Sequence, residues 1–372
     1  MMTSFLDHDA DTGKRQQPLV AHAGVPIRSR GLLGNAAHPL PANGRERDAA
    51  PAGAARLSGC VLIVAGRRHV ARLADAVQRD KGAGCAVFTL DSAAPGLPSG
   101  LSVEQALCFV SEGIIRDIVI AHGHFGAQAQ EAFLAPFLTL DVAIHETVGV
   151  HGGGLGGTSL YCGVPVTTLQ RPALSDAQRR LKRACDLTVS FALLLVLWPL
   201  MTLIATGVAL ESPGPVLFRQ QRRGYNGRSF EILKFRSMHV HSGTDGIAQA
   251  RRHDPRTTRL GRFLRRSSLD ELPQLFNVLN GDMSLVGPRP HAVEHDIAYG
   301  KIIPRYARRQ RVQPGITGLA QIRGHRGETA TPDQMARRIE CDLQYIERWS
   351  FLGDIRILAV TAFVGFFHDN AY

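Results

Sequence analysis

The sequence predicts an α/β protein in three parts: a parallel-sheet domain, an apolar helix that enters a membrane, and a mostly helical α+β domain. Three observations predict it. From Cys60 onward, short apolar runs alternate with helical stretches, the pattern of a parallel sheet covered by helices. Leu187 to Leu210 is the only long uncharged apolar segment. Beyond it, strand-like and helical patterns are dense in arginine and punctuated by Pro and Gly. A length of 372 residues suits two or three such domains.

Residues 1–56 are rich in Ala, Gly, Pro, Arg and Asp without an apolar period, and read as a disordered tail. Asp7, Asp9 and Asp11 alternate within it as solvated charge, because an unstructured tip cannot preorganise a metal site. Residues 57–172 then run CVLIVAG, HVARLADAVQRD, CAVFTLD, VEQALCFVSEG, DIVIAHG, EAFLAPFL and DVAIHET, a β-α-β-α-β-α-β order that predicts a Rossmann-like domain. Its first turn, Ala65-Gly66-Arg67-Arg68, lacks the glycines that let backbone approach a pyrophosphate, so no bound dinucleotide is expected. The loop His151 to Gly157 looks like an esterase oxyanion loop, yet no nucleophile elbow accompanies it.

Residues 173–186 form a basic, amphipathic lead-in expected to lie on lipid headgroups. Residues 187–210 come next as the membrane segment. Two dozen residues at roughly 1.5 Å each reach about 36 Å, enough for a hydrocarbon core of about 30 Å. Basic clusters flank both ends, Arg179 to Arg183 upstream and Arg219 to Arg228 downstream, and positive charge marks the cytoplasmic side. Pro199, near the middle, predicts a kink or break after Trp198. These features favour a re-entrant helix over a kinked span, and either over a buried soluble helix.

In residues 211–372, Ser212 to Pro215 ends the membrane helix, and VLFRQQRRGYNGRSFEILKFRSM reads as a hairpin about Asn226-Gly227. The arginine-rich stretch Arg251 to Arg266 suits a lipid-facing surface. Then SSLDELPQLFNVLNGDMSLVGPRP places Leu272, Leu275, Phe276 and Leu279 at helical spacing, with Asn280-Gly281 as the stop. A helix start near Asp270 keeps Pro273 in the tolerated first turn and sets Asp270 and Glu271 at a helix N-terminus. Two adjacent acids there can be mere caps. Between an arginine strip and the stiff Gly287-Pro288-Arg289-Pro290 turn, they are also the equipment of phosphoryl transfer: a carboxylate nucleophile, a carboxylate for Mg²⁺ and fixed cations for the phosphates.

Composition narrows the partners. A net charge of +11 suits anionic lipid, phosphate-bearing substrates or nucleic acid, but no nucleic-acid module is recognisable and none is expected as partner. Six scattered cysteines without CxxC spacing fit reduced thiols. The first residues lack an apolar h-region, so a cleaved signal peptide is not expected.

LRRSSLDELPQLFNVLNGDMSLVGPRP, with KRACDLTVS, SPGPVLFRQQRRGYNGRSFEILKFRSM, QPGITGLAQIRG and the closing DNAY, resembles the bacterial polyprenyl-phosphate glycosyl-1-phosphate transferases. These are the monotopic phosphoglycosyl transferases that start exopolysaccharide chains. The resemblance covers roughly residues 180 to 372. It implies a Pro-broken re-entrant helix in the cytoplasmic leaflet of the bacterial inner membrane. Asp270 would attack the β-phosphate of a UDP-sugar, release UMP and form a phosphosugar-aspartate that undecaprenyl phosphate then resolves. Glu271 would hold Mg²⁺, and the Pro288 to Pro290 turn would engage the nucleotide diphosphate through Arg289. Arg236, in KFRSM, and Asp342, in ECDLQY, are further candidates for the pocket, each with a surface ion-pair reading beside it. MARRIECDLQYIERW reads as an interfacial helix, and IRILAVTAFVGFF as partly lipid-embedded.

Resemblance favours glucose as the sugar, with galactose the runner-up. Long members of that family carry several transmembrane helices ahead of the Rossmann-like domain, which this sequence does not show. The Rossmann-like domain is then expected to regulate the enzyme or to pair two copies of the chain. Two other classes compete: a catalytically silent membrane scaffold and a basic DNA-binding regulator. His291-Ala292-Val293-Glu294-His295 also matches an inverted zinc-peptidase pattern, but it lies inside the transferase-like block and no third ligand is evident.

Overall fold

A computed structural model describes residues 59–82, 85–89, 100–149, 158–239, 254–325 and 331–364. The expected tail, the His151 to Gly157 loop and the closing Asn370-Ala371-Tyr372 lie outside the described residues. The architecture is mixed α/β, with a parallel-sheet region and one long apolar helix.

The first part runs β1 (Cys60–Val64), α1 (Arg67–Lys81), β2 (Val87–Thr89), α2 (Val103–Ser111), β3 (Ile115–Ile120), α3 (Ala127–Phe137) and β4 (Ala143–Thr147). These four strands pair in parallel in the order β2-β1-β3-β4. β1 is buried along its whole length, as a strand covered on both faces must be. Ser102 and Gln105 close a capping box that starts α2. Two strands with no counterpart in the sequence pattern, β5 (Thr158–Tyr161) and β6 (Val164–Gln170), extend the sheet antiparallel. Cys162 and Gly163 both take positive φ between them, the geometry that matches a two-residue turn to strand twist.

Next comes α4 (Asp176–Glu211), a single helix of 36 residues begun by a Ser175–Gln178 capping box. Two expectations are corrected here. Residues 173–186 are not a separate segment, since their helical part is the first turns of α4. Two of its cations turn into protein, Lys182 being buried and Arg183 donating to the carbonyls of Val278 (2.5 Å) and Leu279 (2.8 Å), while Arg180 is exposed. Nor does the helix break after Trp198, because it continues through Pro199. Thr188, Thr202 and Thr206 return their hydroxyls to carbonyls four residues back, which satisfies them within the helix. Leu195, Val196, Trp198 and Leu203 remain 62–75% exposed, a surface that suits lipid.

The remainder contains β7 (Leu217–Arg223), β8 (Ser229–Phe235), α5 (Arg259–Ser267), α6 (Gln274–Asn280), β9 (Ser284–Val286), α7 (Val293–Gly300), β10 (Gly315–Thr317), α8 (Leu319–Ile322), α9 (Pro332–Glu347) and α10 (Phe351–Val364). β7 and β8 form the antiparallel hairpin whose turn carries Asn226 and Gly227 at positive φ. β9 and β10 pair in parallel, so closely that a Cβ on Gly315 would run into the backbone of Gly287. One apolar core joins Met201, Ile204 and Val208 of α4 to Phe230, Leu264, Leu275, Val278 and Leu285. α9 turns Met335, Ile339, Asp342 and Tyr345 inward, so it is a packed helix rather than one merely resting on a surface.

Candidate active site

The sequence Arg265-Arg266-Ser267-Ser268 ends α5 with Ser268 in the left-handed conformation (φ 59°). That sharp exit throws Leu269–Glu271 into a 3-10 turn, and Pro273, without an N–H to lose, is the N-cap of α6. The two acids therefore sit one turn ahead of the α-helix rather than in its first turn. Each is only 8% exposed.

Glu271 is closed on both oxygens. Its Oε1 accepts from Lys234 Nζ (2.8 Å) and Arg289 Nη2 (2.5 Å), and its Oε2 accepts from Arg289 Nη1 (3.2 Å), a bidentate grip. Burial works against its charge, yet Arg289 and Lys234 hold its carboxyl well below the usual range. Asp270 behaves oppositely. Burial, only partly offset by Lys234 and joined by repulsion from Glu271, raises it to about 6. Neighbouring carboxylates pushed apart in this way mark a site where one stays charged and the other is a poised, poorly solvated base or nucleophile.

Lys234 is not among the residues that the motifs single out. The signal that would find it is strand parity: it shares a face with Phe230 and Ile232, both buried, and a cation on a core face needs a carboxylate partner.

The Pro288 to Pro290 turn is gripped from behind. Arg309 Nη2 donates to the Arg289 carbonyl, and Arg222 Nη1 donates to the Pro290 carbonyl at 3.1 Å. The Pro288 carbonyl accepts from Gly315 N at 2.9 Å. Asp342, 2% exposed, pairs with Arg309 Nε (3.0 Å) and Nη2 (2.8 Å), so it reaches Arg289 through Arg309. Neither surface ion-pair reading holds, because Asp342 and Arg236 are both buried. Arg236 is bonded to the end of α4, giving hydrogen bonds to Val208 O (3.2 Å), Ser212 O (2.5 Å) and Pro215 O (2.7 Å). It stabilises that helix terminus rather than facing the acids.

His291 does not act as a zinc ligand here. Its Nδ1 meets Tyr306 Oη (2.6 Å) and Arg309 Nη1 (2.9 Å), and burial among Arg309 and other arginines keeps it well below its ordinary pKa. Among the described residues no group of three or more His, Cys, Asp or Glu side chains is arranged to hold a metal. A hard divalent ion that takes one or two carboxylates and completes its shell with phosphate oxygens and water still fits the Asp270–Glu271 pair.

A family model described as bacterial sugar transferase matches residues 177–368, just over half of the chain. The chain belongs to the bacterial sugar transferase family. The matched stretch begins in the first turn of α4 and takes in Lys234, Asp270, Glu271 and Arg289 together with Arg222, Arg309 and Asp342 behind them. This bacterial sugar transferase is 51% identical over 210 residues to a UDP-glucose:undecaprenyl-phosphate glucose-1-phosphate transferase of Escherichia coli (strain K12), covering 56% of this chain and 45% of that one. It is 51% identical over 191 residues to a protein of the same name from Caulobacter vibrioides, covering 51% of this chain and 72% of that one. An undecaprenyl-phosphate galactose phosphotransferase of Salmonella typhimurium is 37% identical over 224 residues, covering 56% and 45%. The chain spans about half the length of the first of these relatives.

Proposed function

We propose that the chain transfers glucose-1-phosphate from UDP-glucose to undecaprenyl phosphate, releasing UMP, as the opening membrane step of exopolysaccharide synthesis. The observation that carries the chemistry is the split pair: Asp270 raised by burial beside Glu271, which two cations keep ionised. The identity of the sugar rests on the relatives, since the glucose-type proteins stand at 51% identity and the galactose type at 37%.

In this reading Asp270 Oδ attacks the β-phosphorus of UDP-glucose and the bond from that phosphorus to the bridging oxygen breaks. The electron pair leaves with UMP. A phosphate oxygen of undecaprenyl phosphate then attacks the same phosphorus, and Asp270 departs as carboxylate, so no net proton is required. A group with a pKa near 6 is mostly ionised at neutral pH, and burial strips the water that would blunt it. Arg289 and Lys234 offset charge on the diphosphate. Mg²⁺ is the implied cofactor. Glu271 with substrate oxygens would hold it, exchanging some contact with Lys234 and Arg289, and the ion would neutralise phosphate charge.

Membrane association obeys the same logic. Lys182 Nζ, in the first turns of α4, bonds Asp354 (2.7 Å) and Val286 O (2.9 Å), while Arg236 binds carbonyls at the other end of the helix. A straight helix would separate Lys182 from Val208 by about 39 Å, more than a hydrocarbon core of about 30 Å. One folded block gripping both ends supports a re-entrant helix, bent at Pro199, that leaves the site on the cytoplasmic face of the inner membrane. Exposed Leu352, Ile355 and Phe363 of α10 add apolar surface for lipid.

The test is UMP release by protein in lipid nanodiscs with Mg²⁺ and undecaprenyl phosphate, offering UDP-glucose and UDP-galactose in parallel. Release with UDP-glucose is expected. Silence across a panel of UDP-sugars, with membrane binding intact, would favour the scaffold.

A further inference from the structure

The three segments that meet at the site come from different places: Lys234 from β8, the acids from the turn before α6, and Arg289 from the loop after β9. Each must be held against the others to within a fraction of an ångström for the pair to stay split. One buried residue ties these segments together. Asn277, in the middle of α6, is 2% exposed. Its Oδ1 accepts from Leu233 N (3.0 Å) and its Nδ2 donates to Glu231 O (2.7 Å), so its amide pairs with the free edge of β8 like a strand neighbour. Leu233 directly precedes Lys234. The Asn277 carbonyl then accepts from Asp282 N (3.0 Å) and Met283 N (3.2 Å), fixing the turn that leads into β9 and on to Arg289.

We propose that Asn277 is a positioning residue that sets Lys234 against the Asp270–Glu271 pair. An apolar residue at this point of α6 would fill the space but leave Leu233 N and Glu231 O without partners. The amide alone offers one acceptor and one donor at the spacing that a strand edge presents. Asn277 touches no substrate in this scheme and acts through Lys234. If Lys234 drifts from the pair, its 2.8 Å contact with Glu271 Oε1 is lost and a cation facing the phosphates is misplaced.

Asn226 supplies the control. It is also fully buried and also makes two side-chain-to-backbone bonds, accepting from Asp141 N (2.7 Å) and donating to Val110 O (3.3 Å), but at the far tip of the same hairpin. Asn277→Ala and Asn226→Ala should each lower thermal stability by several degrees. Only Asn277→Ala should lower kcat for UMP release, by about tenfold or more, and in a Lys234→Met background the same substitution should lower kcat no further, because the contact it sets is already gone.

The inference rests on the transferase reading, and wild-type turnover separates the two. Wild-type release with kcat unchanged in Asn277→Ala, or with a full further loss in the Lys234→Met background, overturns the positioning role and leaves the transferase intact. No release from the wild type overturns the transferase. In that event, thermal stability of Asn277→Ala, Lys234→Met and the double variant decides: losses that simply add overturn the positioning role, and a double variant less destabilised than the sum supports it.

Discussion

Replacing Asp270 with Asn should abolish UMP release and at the same time make the protein more stable. Asp270 is raised in the folded state from an ordinary 3.8 to about 6 because burial disfavours its charge. At about 1.4 kcal/mol per unit, holding it ionised at neutral pH costs the folded state about 2–3 kcal/mol. The sign is set by the acid being raised: the folded protein binds the proton more tightly, so stability falls as pH rises from about 4 through about 6 and is flat above. Asn carries no charge and escapes that loss. Melting of wild type and Asp270→Asn in nanodiscs at pH 8 should therefore differ by about 5–10 °C in favour of the variant, given about 2–4 °C per kcal/mol for a unit of this size. The gap should narrow toward pH 4, where the folded carboxyl is protonated and the unfolded one is close to half so. A variant that is less stable at every pH, or equally stabilised at pH 4 and pH 8, would refute the idea that a desolvated carboxylate is kept for chemistry at the expense of stability.

The cations around the pair and at the foot of α4 give two more expected outcomes. Lys234→Met should move the acid limb of kcat/KM from about 6 upward by on the order of one unit, because the cation that most lowers Asp270 is gone; an unmoved limb in a folded variant would break the link between Lys234 and the nucleophile. Lys182→Met strands the buried Asp354 carboxylate, which keeps only Tyr345 Oη (2.8 Å) and Trp349 Nε1 (3.1 Å) as side-chain donors. A loss of about 3 kcal/mol is expected, partly recovered by adding Asp354→Leu, and a single variant as stable as wild type in thermal melting would contradict it.

How much was legible in the sequence varied with the kind of signal. The hairpin at Asn226-Gly227 was readable because that dipeptide tolerates two positive φ values cheaply. The β5–β6 hairpin escaped because Cys162 in a left-handed turn has no such signature, and tertiary pairing with β4 supplies what local propensity does not. Asp270, Glu271 and Arg289 stood out as charges beside Pro and Gly that only a rigid turn explains. Arg236 misled because sequence clustering says nothing about where a guanidinium points; two residues away, Lys234 faces Glu271 while Arg236 holds the end of α4. Asn277 was invisible, since a lone Asn in an amphipathic helix reads as a solvent-facing residue until a strand edge is found beside it.

The membrane helix and the site share one piece of backbone. Val286, the last residue of β9, has its carbonyl held by both Lys182 Nζ (2.9 Å) and Tyr345 Oη (3.0 Å), and Asp186 of α4 accepts from Leu285 N (3.0 Å) just before it. Three residues on, Arg289 grips Glu271. The path from the long apolar helix to the carboxylate pair thus runs through one short buried strand. On the proposed reaction, a soluble sugar nucleotide and a lipid-borne phosphate meet only at headgroup depth, so the height of the reacting atoms matters as much as their spacing. Fixing β9 directly to α4 sets that height by the same bonds that set the geometry, which is why charges as costly to bury as Lys182 and Asp354 stand there instead of apolar residues.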